Sequence, residues 1–186
     1  MCSMKLDWSF WTKASSKRKR IYLISLVFII AFALTVIGSL VPLGHQDAES
    51  ISSGLNTTLN THKSNGSLTE YIFFNNFSIC LVMFIPLIGP ILGMFILFDT
   101  GIALGAISYV QGYPTWVGLI SLILTPVFWL EFTAYSTAIG ESIWLTRRLT
   151  QGGWRELKNT AILIGICAAI LIVSAAVEVW LISIGI

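Results

Sequence analysis

The chain has 186 residues, 55% of them hydrophobic and 11% charged, where an ordinary soluble domain carries about 25% charged residues. With a mean hydropathy of +0.82, its main solvent is lipid, and apolar segments leave no room for a separate soluble catalytic domain. The net charge of +2 is too small to suggest a nucleic-acid partner, so only the placement of the charges is informative.

Residues 1–20 are basic and close on Lys17, Arg18, Lys19 and Arg20, with Trp8, Phe10 and Trp11 spaced along one side of a short amphipathic helix suited to the interface. The first span, residues 21–41, reaches roughly 31 Å as a helix and matches the hydrocarbon thickness. It is too long for a signal core and has no Ala-x-Ala cleavage site, so it reads as a retained anchor ended by Pro42 and Gly44. Residues 42–70 are rich in Ser, Thr, Asn and Gly and read as a mobile external loop. Sequons at Asn56 and Asn65 make it a candidate for glycosylation, while a third at Asn76 abuts the membrane.

From residue 71 onward the chain reads as a membrane bundle. Residues 71–98 are apolar but interrupted by Pro86, Gly89, Pro90 and Gly93, which predicts a kinked or broken helix. Asp99-Thr100-Gly101 is expected to form a turn in which Asp99 caps the next helix. A short apolar segment, residues 102–110, then runs to a second turn at Gln111-Gly112-Tyr113-Pro114. Residues 115–145 read as one long helix containing Pro126 and Glu131. A basic loop near 146–159 and a last span, residues 161–184, follow.

Ten of the eleven Lys and Arg residues lie in residues 1–20 or 146–159, and Lys63 stands alone. The positive-inside rule places both basic groups in the cytoplasm and the 43–70 stretch outside. The expected fold is all-α: a multi-pass bundle of five spans in the cell membrane, C-terminus outside, its middle helices kinked or broken. The alternative is a re-entrant pair over residues 86–112.

Four acidic residues lie in or beside the apolar spans, Asp99, Glu131, Glu141 and Glu178, and no Lys, Arg or His does. A charge at the centre of a membrane helix costs about 2.5–3.5 kcal/mol on insertion scales, so each needs a partner, water or a proton. Glu141, six residues before Arg147, reads as a surface or Arg-paired group, and Glu178, near Trp180, as an interfacial one. Glu131 follows Pro126 by five residues and is the candidate for an intramembrane polar, ion or partner site. Its expected neighbours include Asn75, Asn76 and Tyr135, whether it bonds to another helix or coordinates a cation.

Gly89 with Gly93, Gly101 with Gly105, and Ala134 with Ala138 are small pairs four apart, spaced for close helix packing. Cys2, Cys80 and Cys167 lack metal-type spacing, and His45 and His62 both fall in the polar stretch. No disulfide, metal, cofactor or catalytic residue is expected.

The Asn75-Asn76 pair, the Gly-rich turn with Leu104-Gly105 downstream, and Pro126 spaced from Glu131 ahead of Ala138 and Gly140 together resemble the stage II sporulation protein M family over residues 71–140. Val127 and Phe128 stand where that family carries His-Gly. The resemblance implies a multi-span membrane scaffold that assembles with other membrane proteins. The functional expectation is therefore a non-enzymatic accessory subunit embedded in the bilayer, with other membrane subunits as partners. The alternative is a small transporter or channel component that uses Glu131.

Overall fold

The computed structural model describes residues 16–152 and 154–184. Trp8, Phe10, Trp11 and Cys2 therefore lie outside the described residues. Among those described there are seven helices and no strand: α1 (Ser16–Ser39), α2 (His45–Ser64), α3 (Leu68–Met83), α4 (Ile88–Val110), α5 (Thr115–Leu124), α6 (Pro126–Leu149) and α7 (Glu156–Ser183). α1, α4 and α7 are each long and apolar enough to cross a membrane, and α5 with α6 adds one bent candidate. Their outward faces carry exposed aliphatic and aromatic side chains such as Ile29, Phe95 and Ile166, so this is a membrane-embedded helical bundle.

α6 is the central helix and packs on α1, α3, α4, α5 and α7. Because its neighbours shield it from lipid, it can hold polar groups: Ser136, Glu141 and Ser142 are fully buried along it. Phe28 and Phe32 of α1 meet Phe128 and Phe132 of α6 edge-on at 5.7–6.4 Å between ring centroids. Cys80, Met83, Leu97, Ile139 and Leu171 bring α3, α4 and α7 into the same core.

α1 and α4 run parallel. Thr35 Oγ1 donates to the Leu97 carbonyl at 2.9 Å, and a Cβ on Gly101 would strike the Thr35 carbonyl. One on Gly105 would come within 2.7 Å of the Ser39 carbonyl, and one on Gly38 would strike the carbonyl of Phe98. Glycine is required here because two backbones touch. Without a hydrophobic driving force between helices in lipid, such contact is what holds them.

The expected break in residues 71–98 is found, and four expectations about the middle of the chain are corrected: the turn at 99–101, the Asp99 cap, the re-entrant pair and the single helix over 115–145. The break falls at residues 84–87, and α4 runs unbroken through Asp99, Thr100 and Gly101. Pro86 ends α3, whereas Pro90 lies in the first turn of α4, where its missing N–H has no intrahelical acceptor to lose. Leu87 is the centre of a γ-turn, φ 69° and ψ −51°, in which Ile88 N–H donates to the Pro86 carbonyl at 2.9 Å. The tight turn it closes is clamped by α6: Ser142 Oγ donates to the Ile85 carbonyl at 2.7 Å, and Leu87 N–H donates to Thr146 Oγ1 at 3.1 Å.

Asp99 is thus a mid-helix residue and not a cap. The re-entrant reading of 86–112 also falls, because the two ends of α4 lie at opposite ends of the bundle. Leu87 is held beside Thr146, next to Arg147 and Arg148, while Tyr109 meets His45 at 6.1 Å between ring centroids.

The expected single helix over 115–145 is likewise two, α5 and α6, bent by 82°. Thr125 is the N-cap of α6, its Oγ1 accepting from Phe128 N–H, and Pro126 takes the first helical position, which suits its fixed φ.

The polar stretch expected as a mobile loop carries α2. It has no proline between residues 43 and 70, places Asp47 in its first turn, and packs Ala48 and Ser52 out of solvent. α2 crosses the end of the bundle opposite the basic residues, from His45 at Tyr109 to His62 stacked on Tyr71 at 4.0 Å.

Candidate functional site

Two polar clusters lie within the bundle. The first is where α3, α6 and α7 meet. Pro126 starts α6, and Glu131 follows in its second turn, directed at α3, where Asn76 Nδ2 donates to Glu131 Oε1 at 2.5 Å. Asn75 Nδ2 in turn donates to Asn76 Oδ1 at 3.4 Å, so two amides lead from the exposed flank of α3 to the carboxyl group. Tyr135, one turn further along α6, is buried beside this group, and Glu178 of α7 lies on the same side of the bundle. Chemically, the cluster is a carboxyl tied to an amide across helices, the first of the two roles expected for Glu131.

The second cluster was not foreseen. Glu141 is fully buried at the basic end of α6, so of its two readings the surface group falls and the arginine pair is found. Its partner is Arg20 of α1, with Nε 3.2 Å from Oε2, and not Arg147. That contact lacks hydrogen-bond alignment, leaving Arg20 Nε and Glu141 Oε2 joined by charge alone. The other carboxylate oxygen accepts from Thr160 Oγ1 at 2.7 Å.

Arg20 Nη2 also donates to Glu156 at 2.6 Å, and Arg148 stands 3.8 Å from the same carboxylate. Both guanidinium groups lie over the Trp144 ring, at 5.4 and 5.0 Å. A hydrogen bond from Asn159 at 2.9 Å, together with the Arg20 charge, outweighs partial burial and holds the Glu156 carboxyl below its ordinary value. A cleft of about 490 Å³ opens here between α1 and α7, lined by Lys17, Arg20, Ile24, Trp144, Asn159 and Leu163. Arg20 and Glu141 are 121 positions apart in the sequence; the only signal was that each needed a partner of opposite sign.

The remaining candidates separate. Gly89 and Gly93 face Met83, Ile139 and Ser142, while Gly101 and Gly105 face α1. All four lie on α4. Ala134 and Ala138 are fully buried on α6, with Cys167 Sγ directed at the Ala134 carbonyl at 3.7 Å. Asn56 lies exposed on α2, and Asn65 is its exposed C-cap.

No family model matches the chain, and neither does any curated protein or solved structure.

Among the described residues, no group of three or more His, Cys, Asp or Glu side chains is placed to hold a metal ion. Cys80 and Cys167 are buried, free thiols.

Proposed function

We propose that this chain is a non-enzymatic integral membrane subunit, a scaffold that assembles with other membrane proteins. The observation that carries the reading is how its polar groups divide. Glu131, Glu141, Thr35, Ser142 and Thr160 each bond across to another helix or turn of the bundle, and so hold it together. The outward faces of α1, α4 and α7 are broad and apolar. The resemblance of residues 71–140 to the stage II sporulation protein M family supports the same reading.

In this reading the basic end faces the cytoplasm by the positive-inside rule, and the chain crosses five times, through α1, α3, α4, α6 and α7. α3 has only 16 residues and crosses where α2 and the 84–87 turn flank it. α2, with Asn56 and Asn65, then lies outside, as does the end of α7. Extraction of native membranes in a mild detergent is expected to yield the chain in a larger complex of fixed composition. Recovery of the free chain alone at native expression refutes the proposal.

A further inference from the structure

We propose that the face of α4 running from Ile88 to Asp99 docks a transmembrane helix of a different protein carrying a lysine or arginine at membrane depth; this rests on the reading of the chain as a membrane assembly subunit. Asp99 is eleven residues from each end of the 23-residue α4, about 17 Å along the axis from either end. A two-carbon acidic side chain cannot span that distance to the headgroups. The carboxyl group is exposed, and no hydrogen bond or ion pair joins it to any of the described residues. Thr100, next to it, directs its hydroxyl back to the Ile96 carbonyl at 2.9 Å.

Asp99 also closes one end of an exposed apolar face, since Ala106, two turns further on the same side, is fully buried. Ile88, Ile91, Leu92 and Phe95 are exposed and, at intervals of three and four residues, fall on the same side of α4 as Asp99. Gly93, Leu97, Gly101 and Gly105 occupy the opposite side and are buried against the chain's own helices. The face is therefore what α4 offers outward, and its one charge decides the occupant. Ionisable groups within a membrane are stable when paired with one another. A second copy cannot supply the pair, because the apolar spans of this sequence hold no Lys, Arg or His, and two such faces would set one Asp99 against another. The charge-complementary occupant is a basic helix from another protein.

The test uses the full chain in phosphatidylcholine liposomes with synthetic 23-residue polyleucine helices bearing Lys, Asn or Leu at the central position, and energy transfer as the readout. The Lys helix is expected to bind about tenfold more tightly than the Leu helix, the scale of one interhelical polar contact. The Asn helix should stay near the Leu value. Asp99→Asn and Asp99→Leu should remove the preference for Lys, and Asp99→Lys should transfer it to an Asp-bearing helix. Asp99 is exposed, so thermal unfolding of these variants should match wild type and report that the fold is intact. Equal binding of the Lys and Leu helices overturns the proposal, as does equal binding of the Lys and Asn helices or a Lys preference that survives Asp99→Leu. Because the peptides are synthetic, this outcome is independent of the native extraction. A Lys preference beside a free native chain would refute only the assembly reading, and a stable native complex without the preference would refute only the docking face.

Discussion

α1 is held by two different kinds of contact along its length. At the basic end it is joined to α6 by charge, Arg20 against the buried Glu141, with Trp144 beneath and the Phe28 and Phe32 rings above. At the other end it is joined to α4 by backbone contact, with Thr35, Gly38 and Ser39 against Leu97, Phe98, Gly101 and Gly105. The difference follows the side chains that each end of α1 presents. Near the bilayer surface a charge pair can be completed by further polar groups, here Glu156, Asn159 and Thr160. Along the last turns of α1 no charged side chain is on offer, and dispersion between closely approached backbones takes over.

The charged end should be the more sensitive to single substitution. Arg20→Ala leaves Glu141 buried without its countercharge, and such losses cost about 3–5 kcal/mol. Reversible unfolding in mixed micelles measures it. The double variant Arg20→Met with Glu141→Leu should recover most of that loss, since it removes both charges together. If the single and double variants are equally unstable, charge is not what joins the helices there.

At the backbone contact, Gly101→Leu must push α1 away from α4, and overpacking of this kind costs about 1–3 kcal/mol. Gly165→Ala on α7 is the control, since a Cβ there meets open space and the same assay should show no loss. An equal loss at both positions would mean that general helix distortion, and not the contact with Thr35, is being read.

The smallest effect belongs to Glu156. Its carboxyl lies below the ordinary value of 4.5 in the folded chain, so its contribution is complete at neutral pH and is lost as pH falls through the folded value. Wild type should therefore lose stability in acid below about pH 4.5 more steeply than Glu156→Gln. Parallel acid titrations would show that Glu156 contributes nothing to the basic-end network.

The helical membrane class was readable from composition and from the two outer apolar runs, which became α1 and α7. The middle was misplaced because two sets of helix breakers compete there, and proline and glycine alone do not rank them. One pattern could have decided it. Gly89, Gly93, Leu97, Gly101 and Gly105 keep a four-residue interval straight through Asp99, which a turn at Asp99 would destroy. The Asn76 to Glu131 bond lay within the set of neighbours expected for Glu131. The Arg20 to Glu141 pair did not, since α1 reaches α6 only once the bundle is assembled, and no local spacing encodes that meeting.

The parallel pairing of α1 with α4 also sets an order of events during biogenesis. Thr35 and its acceptor Leu97 are 62 residues apart, an interval that takes roughly 3–12 s to synthesise at about 5–20 residues per second. Throughout that interval α1 lies in the bilayer without its partner, its Thr35 hydroxyl facing hydrocarbon. The same hydroxyl is within 3.1 Å of the Ala31 carbonyl on its own helix. Thr35 therefore has an acceptor while it waits, and when α4 arrives the hydroxyl is already in place for Leu97.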